Sequence, residues 1–148
     1  MIQTSYVMVK PGFANSKKVI NEIIKRFTIN GLEVAQGSYI KYDKIFASKH
    51  YHEHIGKNFY PELEQYITSD KAFGMKVVGE NAISKIRALV GATKNPEKGT
   101  IRYDIPAMLN MERRITENVV HASDSEEAAK YELTIFSQLK NLYNSNEK

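Results

Sequence analysis

The residues best able to do chemistry lie together in the run Asn-Val-Val-His-Ala-Ser-Asp-Ser at 118–125, where one histidine stands between a β-type run and the opening of a helix. Val119 and Val120 favour extended backbone, and Ser123 followed by Glu126 has the form of a capping box ahead of Leu133 and Phe136. His121 is thus expected just before a helix N-terminus, where unpaired N–H groups and the positive dipole end suit a phosphate beside an imidazole. An imidazole neutral near pH 7 is a nucleophile once a neighbour fixes which ring nitrogen keeps the proton. Ser123 and Glu132 are the candidates for that orienting role. Phosphoryl transfer also needs cations around the travelling charge. Lys10, Arg87 and Arg102 each stand beside a turn, and Thr93 adds a hydroxyl donor. Taken singly, His121 is more readily an ordinary strand-to-helix turn and each cation more readily a solvated surface charge. Their case rests on convergence.

A second histidine feature is the run His50-Tyr51-His52-Glu53-His54. His50 and His54 have helical i, i+4 spacing, but the HExxH pattern is absent and no cysteine can join. A partly exposed surface on a short amphipathic helix is the preferred reading, and a structural metal the minor one. Basic residues interleaved with aromatics, such as Lys57 with Phe59 and Tyr60, raise single-stranded nucleic acid as an alternative. The apolar spacing says that those aromatics mostly pack, which argues against nucleic acid.

The elements that must position these groups follow from the periodicity. Residues 6–9 form a short strand stopped by Lys10-Pro11-Gly12, which leaves Lys10 at the strand end. Val19, Ile20, Ile23, Ile24 and Phe27 mark a helix over 16–30, stopped by Gly31. Residues 32–42 read as a strand with a bulge at Gly37, and 44–68 as two short helices broken near Gly56 and Pro61. A strand over 73–80 leads to Asn81, a suitable N-cap for the helix that Gly91 ends. A long connection over 92–117 carries a helical piece around 107–111. The fourth strand covers 118–121, the last helix runs from Ser125 to about Leu139, and 141–148 is a polar tail. This order gives an α+β ferredoxin-like sandwich, a four-stranded antiparallel sheet with helices on one face and Lys10 and His121 at the ends of neighbouring strands.

Composition bounds the rest. With 148 residues, 42% hydrophobic and 26% charged, one domain over 1–140 is expected. The net charge of +4 suits an anionic ligand, yet no Lys/Arg block resembles a nucleic-acid arm. The absence of cysteine excludes disulfides, thiolate catalysis and zinc-thiolate sites. No stretch approaches the roughly 20 apolar residues of a membrane span, and a soluble, cytoplasmic protein is expected.

Together, Tyr-Val-Met-Val-Lys-Pro at 6–11, Gly-Thr-Ile-Arg at 99–102 and the 118–125 run resemble a nucleoside diphosphate kinase. His50-Tyr51, Phe59, the stretch from Arg87 to Thr93 and Glu132 fall at matching places. The resemblance implies ping-pong transfer of a γ-phosphoryl group from a nucleoside triphosphate to His121 and on to a nucleoside diphosphate (ATP, GTP, ADP, GDP and deoxy forms). Mg²⁺ would be held by the nucleotide's phosphates and by no protein ligand. It implies that Lys10 and Asn118 contact the ribose hydroxyl and nearby phosphate oxygens, and that Tyr51 lies close to the histidine. Arg87, Thr93 and Arg102 would clamp the phosphates, Phe59 would stack on the base, and Ser123 and Glu132 would orient the imidazole. A homo-oligomer is also implied. Gly12 stands where the family usually has aspartate, Lys94 looks inserted, and the stretch between Arg102 and Asn118 is longer than usual. These departures motivate the alternative of a non-catalytic nucleotide-binding or interaction module.

Overall fold

The computed structural model describes residues 1–115 and 117–146. Four strands, β1 (Ile2–Val9), β2 (Glu33–Ile40), β3 (Ala72–Glu80) and β4 (Val120–Ala122), form one antiparallel sheet in the order β2-β3-β1-β4. Among the described residues, six α-helices pack around it: α1 (Lys17–Thr28), α2 (Lys44–His50), α3 (Tyr60–Ile67), α4 (Ala82–Val90), α5 (Ile101–Met108) and α6 (Glu126–Asn146).

The central strand explains the layering. On β1, Val7 and Val9 point into a cluster with Ile23 and Phe27 of α1, Ile86 of α4 and Ile105 of α5. Tyr6 and Met8, on the opposite face of the same strand, join Ala47, Leu63, Ile67, Ile135 and Phe136 from α2, α3 and α6. An apolar run with both alternating sets buried must be covered twice. The expectation of helices on one face is therefore corrected: they occupy both. Gly74 of β3 makes room for this second layer, since a Cβ there would lie 2.6 Å from the Phe136 ring.

Several boundaries also differ from expectation. The bulge in β2 falls between Val34 and Gln36, not at Gly37, whose missing side chain instead admits the Phe73 ring. Pro61 opens α3 instead of breaking it, because its absent N–H lies in the first turn. Asn81 precedes α4 in the left-handed region with no side-chain cap; Gln3 from β1 accepts the Ile83 N–H in its place, at 3.1 Å. The helical piece in the long connection is α5, ahead of the expected 107–111 and with Pro106 inside it. Burial of Ile101 and Ile105 at i, i+4 outweighs the single hydrogen bond that Pro106 forfeits near the helix end. Finally, α6 continues to Asn146 through positions read as tail; residues 147–148 lie outside the described residues.

Candidate active site

β4 delivers His121. The register Met8↔His121 places the imidazole on the α6 face, while Val120 and Ala122 turn into the opposite cluster. The strand begins one residue after Val119, which has φ of 80° and is spanned by a hydrogen bond from Val120 N–H to Asn118 C=O at 3.0 Å. This is a γ-turn with a β-branched residue at its strained centre. It replaces the expected extended start at 118 and is pinned by Lys10 N–H donating to Val119 C=O at 2.8 Å.

Ser123 does not cap α6; Ser125 does, accepting from Ala128 N–H at 3.0 Å. Ser123 is fully buried and tied instead to β1, accepting from Tyr6 N–H at 3.1 Å. Its hydroxyl lies 2.7 Å from Glu132 Oε1 and 3.2 Å from Tyr6 C=O, and the shorter contact takes the proton better. The same Oε1 lies 2.8 Å from His121 Nε2. With Glu132 ionised, both neighbours donate to it, so Nε2 carries the ring proton and Nδ1 keeps its lone pair. Ser123 therefore orients Glu132, and Glu132 orients His121.

The cations arrive from three elements. Arg102 of α5 donates to Val120 C=O at 2.9 Å, Gly91 C=O at 3.0 Å, Asn118 C=O at 3.3 Å and Thr93 Oγ1 at 3.4 Å. Arg87 of α4 donates to Ala122 C=O at 3.3 Å. Lys10, 7% exposed, donates to Asn118 Oδ1 at 2.6 Å. Burial, and then Arg102, pull the Lys10 ammonium down to about 7. Burial and the neighbouring Arg87 lower the Arg102 guanidinium to about 10, with Tyr51 acting in the opposite sense. Crowded, desolvated positive charge of this kind is stabilised by an incoming anion.

Tyr51, Arg87, Thr93, Arg102, His121 and Glu132 line one cleft of about 590 Å³. Lys10 and Asn118 form the pair beside it that Arg102 touches, and Ser123 lies behind Glu132. The Tyr51 ring is 6.3 Å from that of His121, with its hydroxyl buried and unpartnered among the described residues. Burial, and then Tyr42, hold that phenol neutral well above its ordinary range. Phe59 is not among the cleft-lining residues. It is 48% exposed, with its ring 5.3 Å from His54, which does line the cleft.

The histidine run departs most from expectation. Helix α2 ends at His50, and residues 52–54 form a separate 3-10 turn, so no i, i+4 face exists. His52 is exposed, whereas His50 is 7% exposed with its ring 4.6 Å from that of His121. Burial, and then His121, hold the His50 imidazole neutral by pushing its pKa well below the ordinary value. Tyr6 and Tyr42 stand behind it, with their hydroxyls 3.0 Å apart and that of Tyr42 3.1 Å from His50 Nδ1. The alternation of histidines gave no signal for this burial, but Ala47 and Tyr51 beside His50 are the apolar pattern that would have found it.

For Mg²⁺, the chemistry of the cleft is plain. Its lining carries Arg87 and Arg102 together with Glu53, Asp124, Glu127 and Glu132, and Glu132 is already engaged by His121 and Ser123. Mg²⁺ takes oxygen ligands, so an ion already coordinated by phosphate oxygens fits beside the two guanidinium groups as part of an anionic complex.

Comparison with known proteins bears on the family. A family model described as nucleoside diphosphate kinase matches residues 3–142. A nucleoside diphosphate kinase of Metallosphaera sedula is 43% identical over 136 residues, covering 90% of this chain and 92% of its own. One from Methanocaldococcus jannaschii is 41% identical over 139 residues, covering 92% and 94%. The structure of a halophilic nucleoside diphosphate kinase from Halobacterium salinarum in complex with CDP superposes with a TM-score of 0.81 at 32% identity, covering 92% of this chain and 88% of that one. With the family model, the sequence identity and the four-stranded antiparallel ferredoxin-like sheet in agreement, the chain belongs to the nucleoside diphosphate kinase family.

Proposed function

We propose that the protein moves a γ-phosphoryl group from a nucleoside triphosphate to a nucleoside diphosphate by a ping-pong route through phosphohistidine on His121. The observation that carries the reading is the 2.8 Å contact of His121 Nε2 with a Glu132 carboxylate that Ser123 also holds, because it leaves Nδ1 as the nucleophile. In the first half-reaction the Nδ1 lone pair forms a bond to the γ-phosphorus while the bond from phosphorus to the β-bridging oxygen breaks. The nucleoside diphosphate leaves with that electron pair. The ring gains positive charge, which the Glu132 carboxylate stabilises through Nε2–H. A terminal oxygen of the second diphosphate then attacks phosphorus, and the N–P electrons return to Nδ1.

Mg²⁺ would be carried by the nucleotide's phosphates, where it would neutralise part of their charge. Arg87, Arg102 and Thr93 would hold the phosphates, Lys10 and Asn118 the ribose hydroxyl and adjoining oxygens, and Tyr51 the transferred group. Phe59 at the cleft margin would stack on the base, which is tolerant of base identity. ATP, GTP and their deoxy forms would then serve as donors, and ADP and GDP as acceptors. We further read residues 1–140 as the catalytic domain. The resemblance to the family further suggests a homo-oligomer. The cytoplasm, with its nucleotide pools, suits the reaction, and among the described residues no helix is long and apolar enough to cross a membrane.

Incubation with γ-labelled GTP and Mg²⁺ tests the reading. The expected result is an acid-labile, base-stable phosphate on His121 that is discharged by added nucleoside diphosphate and absent from folded His121→Ala. A folded wild-type protein that takes up no label would overturn it, and would favour the non-catalytic module instead.

A further inference from the structure

The buried His50 imidazole has no part in the transfer described above. Its Nδ1 is engaged by the Tyr42 hydroxyl, while its Nε2 is shut off from solvent with no partner among the described residues. A buried polar atom left in this state costs free energy unless something pairs with it. One ligand atom each from His50, His121 and Glu132 lie within 4.8 Å of one another. We propose that these three residues form a binding site for one borderline-soft transition-metal ion of the Zn²⁺ class, and that its occupation silences His121.

Two imidazoles and one carboxylate with an open fourth position are a donor set that Zn²⁺ accepts. Ligand atoms about 2.0–2.1 Å from a tetrahedral ion lie about 3.4 Å apart, so the 2.8 Å pair opens slightly and no other pair, all within 4.8 Å, need close by more than about 1.4 Å. The Glu132 carboxylate supplies the negative charge, and the cleft supplies the open position. The Tyr42 hydroxyl on His50 Nδ1, backed by the Tyr6 hydroxyl, is the outer support that orients a ligating imidazole. Two nitrogen donors beside Arg87 and Arg102 disfavour hard, oxygen-seeking Mg²⁺, so the site discriminates between the two metals by ligand softness. Ligation at His121 Nε2 displaces the proton that Glu132 holds there, and the ion's charge weakens the Nδ1 lone pair as a nucleophile. The silencing half rests on the phosphohistidine reading, and the binding half does not.

Titration of the folded protein with Co²⁺, a visible-absorbing surrogate for Zn²⁺, tests the site without reference to activity. The expected result is a saturable tetrahedral d–d absorption at one ion per chain, displaced by Zn²⁺. Glu132→Gln and His50→Gln should each weaken it at least about tenfold, while the double variant His52→Ala, His54→Ala retains it. Circular dichroism checks each variant, and if His50→Gln does not fold, Glu132→Gln alone decides. No tetrahedral band, a band unchanged in the folded ligand variants, or a band lost with His52 and His54 would overturn the site. Zn²⁺ at saturating concentration should block labelling of His121; full labelling of the zinc-loaded protein would overturn the silencing. If the band forms but metal-free protein takes no label, the transfer reading fails and the metal site stands. If the protein takes label but shows no band, the metal site fails and the transfer reading stands.

Discussion

Replacing Glu132 by glutamine isolates what the carboxylate contributes. The amide is nearly isosteric and its oxygen can still accept from His121 Nε2–H and from the Ser123 hydroxyl, now 2.8 and 2.7 Å from Oε1. What is lost is the negative charge. A hydrogen bond to a charged group contributes about 1.5–3 kcal/mol and one between neutral groups about 0.5–1.5 kcal/mol, so the difference is about 1.5 kcal/mol. This difference matters most as the ring becomes cationic during bond formation to phosphorus, so it falls on the transition state and not on nucleotide binding. At about 1.4 kcal/mol per decade, phosphohistidine should form about tenfold more slowly at saturating triphosphate, with the half-saturating concentration nearly unchanged. Quench-flow measurement of labelled phosphate on His121 reads both quantities, and a thermal melt reads the fold. A Glu132→Gln protein that labels at the wild-type rate would refute the charge argument. A loss of rate matched by a loss of melting temperature would show a structural role instead.

Phe59→Ala should leave the fold intact to within about 0.5 kcal/mol, because the ring is half exposed and belongs to neither apolar cluster. Base stacking contributes about 1–3 kcal/mol, so the nucleotide KM should rise about 5- to 150-fold with kcat retained; steady-state kinetics that show an unchanged KM would remove Phe59 from the site. Nucleotide binding should take up protons above neutral pH. Lys10 titrates at about 7 in the unliganded protein, and a phosphate beside it favours the ammonium and raises that value. Uptake should be absent well below pH 7, where Lys10 is already charged, and appear as pH rises through 7 to 9. Calorimetry in two buffers of different ionisation enthalpy measures it, and equal apparent enthalpies at pH 8 would contradict the assignment. The sign for stability is the reverse of a salt-bridged lysine. The cost of burying the ammonium is fully present below about 7 and is relieved as pH rises toward its ordinary value of 10.5.

The parts of this molecule legible in its sequence are those where one local rule decides. Helix α1 combines an apolar stripe, Ser16 accepting from Val19 N–H and a glycine stop, and it appears as read. Lys10 and His121 share neighbouring strand ends because Pro11 and the 118–125 run each stop a strand there. What the sequence concealed depends on pairing across long separations. Ser123 fits a capping box by spacing, but its hydroxyl is claimed by Tyr6 and Glu132, and Ser125 takes the cap. His50 reads as surface among alternating histidines until Tyr6, Tyr42 and His121 close around it. The second helical layer hides in β1, where both alternating sets are apolar and no strand-level pattern says how many layers will cover them.

Arg102 shows why the site and the fold cannot be separated by mutation alone. Its guanidinium bonds the carbonyls of Gly91, Asn118 and Val120, and so ties the end of α4, the γ-turn at Val119 and the strand that carries His121 to one side chain. The strained Val119 conformation must be over-determined by its surroundings to persist, and Arg102 from one side and Lys10 N–H from the other supply that determination. The same group is the buried cation, lowered to about 10, that an incoming phosphate would stabilise. Lysine at this position would keep a charge but lose the planar fork that reaches three carbonyls at once. The placement of His121 and the charge that attracts its substrate are thus two consequences of one side chain, so removing it perturbs geometry and electrostatics together. Glu132, which touches His121 without holding the strand, is the cleaner probe of the chemistry.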